Sequence, residues 1–181
     1  MRAGNDRLRG EMIALLPRLR RFARALCRSA DEADDLVQTA CERGLRGADG
    51  WQEGTRLDSW MFRILQNVWI DQCRAARSRP SGFEVVDPEA HGHDTPAREV
   101  ESRLLLAAVR RAARQLPEEL QSVLLLVCLE EFSYRETAET LGIPIGTVMS
   151  RLARARTTLI RVLEIEPDRQ ATRRRSGGQA L

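Results

Sequence analysis

The stretch SYRETAETLGIPIGTVMSRLARAR, Ser133 to Arg156, decides the fold. Ser133 and Glu136 have the S-x-x-E spacing of a capping box, in which hydroxyl and carboxylate satisfy otherwise orphaned backbone amides, so a short helix opens here. It ends at Leu141 and Gly142, where glycine permits the positive φ of a tight turn. After the turn, Gly142 to Gly146, a second helix is expected through Leu163, with Val148, Leu152, Ala155 and Leu159 recurring as its buried stripe. Ala138 is small where the two helices cross. The pattern is that of a helix-turn-helix. Its opposite face carries Thr147, Ser150, Arg151 and Arg154, with Arg161 further on. Reading a major groove needs that order, with short polar groups near the helix start and guanidiniums behind them for guanine edges or phosphate. A plain helical hairpin with a solvated arginine face is the alternative.

Outward from this motif the same helical period continues, and no segment sustains strand alternation. Glu118 and Glu119 start a helix after Pro117, with Leu120, Val123, Leu124, Val127 and Cys128 as its apolar stripe, and another helix spans about Glu101 to Gln115. Nearer the start, Ile13, Leu16, Leu19, Phe22, Ala23 and Leu26 share one helix face, opposite Arg18, Arg20, Arg21 and Arg24; Pro17 begins or bends that helix. Ser29 to Glu32 gives a further capping box, for a helix through Arg43. Asp58 is placed to cap a third helix through Arg77, whose polar face holds Arg63, Gln66, Asn67, Asp71, Arg74 and Arg77. A Gly-rich loop, Gly44 to Thr55, carries Trp51.

Between the two helical groups, residues 80–102 hold six acids, Glu84, Asp87, Glu89, Asp94, Glu99 and Glu101, against Arg98 alone. Three prolines and two glycines lie in or beside this stretch, which reads as a flexible linker. The fold class expected is therefore all-α. Two small helical domains, 1–79 and 101–165, are joined by a linker, 80–100, and followed by a basic, disordered tail, 166–181.

The 181 residues are 43% hydrophobic and 30% charged, enough apolar side chain for a core, while aromatics make up only 4%. No apolar run approaches the ~18 to 20 residues that cross a bilayer, and the arginine-studded start lacks a signal-peptide core, so a soluble cytoplasmic protein without membrane insertion is expected. All 29 basic residues are arginine, a bias that suits phosphate contacts and equally fits a GC-rich genome. Cys27, Cys41, Cys73 and Cys128 show no C-x-x-C pairing and read as buried thiols. His91 and His93 form an H-x-H pair with no further ligand nearby, so neither a metal nor a cofactor is expected.

Four ordered strings carry a family resemblance: DEADDLVQ (Asp31 to Gln38), LDSWMFRILQNVWID (Leu57 to Asp71), QLPEELQSVLLLVCLEEFSYRETAETLG (Gln115 to Gly142) and PIGTVMSRLARAR (Pro144 to Arg156). The chain resembles a bacterial RNA polymerase sigma factor of the extracytoplasmic-function group in the sigma-seventy family. The resemblance implies that the first domain is the region-two helical bundle and the second the region-four helix-turn-helix. It further implies promoter-directed initiation without an enzymatic reaction, with core RNA polymerase (β′ clamp and β flap), promoter DNA and an anti-sigma factor acting in a stress response as partners.

Residue by residue, Asp34, Asp35, Leu36, Val37 and Gln38 match the segment that grips the β′ clamp. Helix-dipole compensation alone would account for Asp31 and Glu32. Asn67 and Asp71 match positions facing the minus-ten element, and the loop with Trp51 matches the one that captures a flipped base. A melted strand needs an apolar or aromatic pocket and cations for its backbone, here Trp51 with Arg56, Arg63, Arg74 and Arg77. A buried loop tryptophan is the other reading of Trp51, and Trp60 and Trp69 read as core. Thr147, Ser150, Arg151 and Arg154 match the residues that face the minus-thirty-five element. Met149 stands where many relatives carry Lys or Arg. The stripe Leu120 to Leu129 matches the surface for the β flap tip, or it is core.

Two rivals come from other classes. A polymerase-independent helix-turn-helix regulator would use the second domain as a dimer and leave Asp35 and Gln38 without a task. An enzyme built on Asp34 and Asp35 would lack a nucleophile, a histidine partner and a phosphate loop. The acidic linker, tethered between basic domains, is expected to be repelled by DNA and drawn to positive surfaces of polymerase; the arginine-rich tail is expected to add salt-sensitive DNA affinity.

Overall fold

The computed structural model describes residues 2–51, 54–77 and 97–176. Those residues form seven α-helices and no strand: α1 (Arg2–Leu26), α2 (Ala30–Arg46), α3 (Leu57–Arg77), α4 (Ala97–Arg114), α5 (Glu118–Cys128), α6 (Tyr134–Leu141) and α7 (Ile145–Ser176), with a 3-10 turn at Ala48–Gly50. Both expected serine caps form. The Ser29 hydroxyl accepts from the Glu32 amide, but the Glu32 carboxylate reaches back one residue further than a strict capping box, to the Arg28 amide. At Ser133 the box is complete, with the Glu136 carboxylate accepting from the Ser133 amide at 2.7 Å.

Boundaries differ from the sequence reading in physically simple ways. Helix α1 begins at Arg2, well before the expected stripe, because Leu8 and Met12 extend the inward face of Leu19 and Phe22 toward the helix start. Asp58 does not cap α3: Leu57 is already helical, and Asp58 sits in the first turn, where its charge complements the helix dipole. Helix α4 begins at Ala97, inside the expected linker, while residues 78–96, with His91 and His93, fall outside the described residues. Helix α7 continues to Ser176, into the segment expected as a disordered tail, and runs through Pro167.

In the first half, Leu19, Phe22, Ala33, Leu36, Ala40, Met61, Phe62 and Leu65 close a three-helix core. In the second half Ala113, Leu116, Leu120, Val123, Leu124, Val148, Leu152 and Ala155 form another. The halves are not independent beads on a tether. Leu125, Leu126 and Phe132, from α5 and the loop after it, belong to the first half's core cluster. The apolar side chains of α5 are too numerous for one face, so α5 packs both ways.

The turn of the helix-turn-helix is fixed by Gly142, which is left-handed at φ 65°, ψ 36° and lets the Ile143 amide reach the Ala138 carbonyl at 3.0 Å. A Cβ here would meet nothing nearer than Arg63 at 3.7 Å, so strain rather than space restricts the position. Gly142→Ala should therefore cost about 1–2 kcal/mol in thermal or urea unfolding, and Gly142→Asn appreciably less, because asparagine tolerates this conformation. Equal losses in both variants would refute the conformational explanation.

Candidate nucleic-acid interface

On α2, the i, i+3, i+4, i+7 set Ala33, Leu36, Val37 and Ala40 points into the bundle, which rotates Asp34, Asp35 and Gln38 outward. This corrects the expectation for Leu36 and Val37. Both are buried, and their place is in the core that holds the acidic face, not on it. Asp34 lies 3.7 Å from Arg20, and the Gln38 amide donates to Glu42 at 3.3 Å.

The expected minus-ten residues spread along the loop before α3 and along α3 itself. Trp51 is half-buried against the first-half core, its indole N–H without a hydrogen-bond partner. Trp69 is buried, and Trp60 is half-buried against the same core. Arg63, Asn67 and Arg74 are exposed. Asp71, also exposed, accepts from Arg43 at 3.1 Å. Arg56 and Arg77 are already engaged. Arg56 donates to Asp58 at 2.7 Å, pairs with Glu136 and lies over the Phe132 ring at 4.9 Å, while Arg77 pairs with Glu118.

Burial pushes the Asp58 carboxyl upward, but hydrogen bonds from Arg56 and the Ser59 amide, with the Arg56 and Arg18 charges, outweigh it and hold it below the ordinary aspartate range. Glu136 and Glu118 belong to the second half, so acids of that half occupy cations of the expected minus-ten face. Gln66, on the same helix, is buried and donates to the Ser122 hydroxyl.

On the helix-turn-helix, Val148, Leu152 and Ala155 are buried and set the rotation of α7. Ser150 and Arg154 are exposed, and Thr147 is half-buried. The Ser150 hydroxyl donates to the Thr147 carbonyl at 3.1 Å. Arg151 is drawn aside, donating to Glu119 on α5 at 2.7 Å with only 19% of its side chain exposed. The four expected residues thus share a helix, but they do not point one way.

Sequence reasoning missed the clasp between the halves. Glu130 has a fully buried side chain whose carboxylate accepts from Arg18 at 3.0 Å and from Arg21 at 3.0 Å, and Arg21 also donates to the Leu129 carbonyl. Glu131, left-handed at φ 59°, turns the chain here, with Glu130 and Phe132 buried on either side of it. Arg18 also lies over the Phe62 ring at 5.4 Å. Further along the seam the Gln121 amide donates to the Ala25 carbonyl and Arg114 to the Arg24 carbonyl, both at 3.2 Å. The arginines of α1 had been legible as a polar face; their carboxylate partner, more than a hundred residues away, carried no local signal.

The cysteines differ from one another. Cys27 is buried, Cys41 and Cys73 are half-buried, and Cys128 is exposed, contrary to expectation, because it lies on the side of α5 away from both cores. Burial, helped by Glu32, pushes the Cys27 thiol up to about 12, and burial with Glu118 raises Cys73 to about 11. Both therefore stay protonated at neutral pH and are poor nucleophiles. Among the described residues no group of His, Cys, Asp and Glu is arranged to hold a metal ion, and no helix is long and apolar enough to cross a membrane.

Comparisons with known proteins agree with this architecture. The family profile for Sigma-70 region 4 matches residues 106–159, and that for the Sigma2 domain of PhyR matches residues 12–66. The chain is 35% identical over 163 residues to the ECF RNA polymerase sigma factor EcfG of Rhodopseudomonas palustris (strain TIE-1), covering 89% of this chain and 87% of that protein. It is 38% identical over 146 residues to the ECF sigma factor SigM of Mycobacterium tuberculosis (strain H37Rv), covering 80% and 71%. Among solved structures, the sigma factor RpoE of Bartonella quintana, crystallised with the anti-sigma factor NepR, superposes with a TM-score of 0.69 at 28% identity, covering 87% of this chain and 96% of that one.

Proposed function

This chain is an RNA polymerase sigma factor of the extracytoplasmic-function group, and we propose that its first half grips core polymerase and the minus-ten element while its second half reads the minus-thirty-five element. The helix-turn-helix carries this reading most directly: a capped α6, a left-handed Gly142 and a buried Val148, Leu152 and Ala155 stripe turn Ser150 and Arg154 outward. The acidic face of α2, Asp34, Asp35 and Gln38, supplies the β′ clamp contact. Trp51, Asn67, Asp71 and the arginines Arg56, Arg63, Arg74 and Arg77 supply the minus-ten surface, where stacking and backbone cations hold unstacked bases. The β flap tip takes the apolar side of α5, and the domain limits follow as 1–79 and 101–165. The protein acts by binding rather than by catalysis, in the cytoplasm, under an anti-sigma factor like the one bound to the Bartonella relative, in a stress response.

The packed arrangement has a geometric consequence for this function. Elements about 25 base pairs apart lie ~85 Å apart on a duplex rising ~3.4 Å per base pair. Here the Arg63 guanidinium of the minus-ten face lies 3.7 Å from the point where a side chain at Gly142 of the helix-turn-helix would begin. Promoter binding therefore requires the halves to part. Polymerase supplies the energy by taking over the α5 surface that Leu125, Leu126 and Phe132 now bury against the first half.

The test is co-purification of the full chain with core polymerase, followed by run-off transcription. Asp35→Arg should weaken the association at least about tenfold by reversing a charge at the contact. It should leave the helical circular dichroism unchanged, since Asp35 is exposed. A chain that binds promoter DNA as a dimer and ignores polymerase would instead be the autonomous regulator.

A further inference from the structure

The first turns of α7 present two large apolar side chains to solvent, Ile145 at 50% and Met149 at 54% exposure. They stand four residues apart and so adjoin on one helix face. The burial of Val148 and Leu152 on either side of Met149 fixes the helix rotation and leaves Met149 no inward alternative. Around them the polar groups are committed elsewhere: the Ser150 hydroxyl donates back to the helix at the Thr147 carbonyl, and Arg151 is held against Glu119. The same helix carries Arg154, Arg156 and Arg161 exposed further on, and no acid lies between Ile145 and Arg161. The surface is thus an apolar edge at the helix start backed by cations, complementary to a phosphate-lined groove.

In a major groove, the apolar feature that distinguishes one base pair from another is the C5-methyl of thymine. We propose that Met149, buttressed by Ile145, is a specificity-determining residue that reads a thymine methyl in the minus-thirty-five element. This rests on the proposed function of α7 as the minus-thirty-five reader, and it deepens that reading. Met149 gives up the long-range attraction that a cation at this position would exert, and gains selectivity for thymine at the base step facing the first turn. The thioether is flexible enough to settle against the methyl without demanding a single rotamer.

Replacing thymine by uracil removes the methyl and nothing else from the groove, and so isolates the contact. Holoenzyme reconstituted from core polymerase and the full chain is first used to select minus-thirty-five sequences from a randomised duplex. Each thymine of the selected element is then changed singly to uracil, and binding is measured by competition. One substitution should weaken wild-type holoenzyme about three- to tenfold, the worth of a methyl group removed from an apolar contact. The same substitution should not affect Met149→Ala holoenzyme, and Met149→Leu should restore the sensitivity. Arg154→Ala is the control for the underlying reading: it should weaken all duplexes alike, with or without methyl groups. If Arg154→Ala weakens binding but no uracil substitution does, or if Met149→Ala keeps the methyl sensitivity, the thymine contact is wrong and the reader stands. If Arg154→Ala has no effect either, α7 is not the reader and both fall.

Discussion

Phe62→Ala should lower the unfolding free energy of the free chain by about 3–5 kcal/mol, the usual cost of deleting a fully buried aromatic ring. The ring is fully buried, edge-on to Phe22 at 5.1 Å within the first half and edge-on to Phe132 of the second half at 5.5 Å, with Arg18 above it. Loss of the ring removes packing in the first domain and the apolar bridge to the second at once. The bridging part is separable. Phe132→Ala, Phe62→Ala and the double variant, compared by urea denaturation, should show a coupling energy of about 0.5–1.5 kcal/mol, as edge-to-face ring pairs do. Additive losses would mean that the two rings touch without supporting each other.

Glu130→Arg should open the molecule. The wild-type carboxylate is wholly buried and neutralises Arg18 and Arg21 across the seam, so reversal places three guanidiniums where one anion had held two. Breaking a buried pair costs about 3–5 kcal/mol, and the lower end applies because Arg18 and Arg21 remain 36% and 51% exposed and regain water when released. Small-angle scattering should report a larger radius of gyration, and hydrogen exchange should accelerate along α5 while the α1–α3 core stays protected. Arg18→Glu with Arg21→Glu, added to Glu130→Arg, restores opposite charges and should recover much of the compactness. An unchanged radius in Glu130→Arg would remove the clasp as the element that holds the halves together.

Local chemistry was legible in the sequence, and distant pairing was not. Ser133, Glu136, Gly142 and Val148 act on neighbours within a few residues, so their spacing alone specified the capped helix, the left-handed turn and the buried stripe. Ser150 and Arg154 were placed on the outer face for the same reason. Leu36 and Val37 match the family motif, but their spacing with Ala33 and Ala40 marks an inward stripe, and both are buried. The Glu130 clasp lay beyond such reasoning, since LEEF reads as an ordinary acidic turn until the α1 arginines are folded against it. The same holds for the pairs Arg56–Glu136, Arg77–Glu118 and Arg151–Glu119, whose acids come from other helices. A basic face in a sequence does not tell whether its counter-anion will be a phosphate or a glutamate of the same chain.

The two-sided packing of α5 also bears on how such a protein is kept before use. Its leucine-rich strip is the part most prone to self-association if bared to water. With Leu125, Leu126 and Phe132 sheathed by α1 and α3, the chain carries its own cover for that strip. If polymerase takes over this surface as proposed, copies made ahead of need keep the adhesive side wrapped until a larger machine is at hand to receive it.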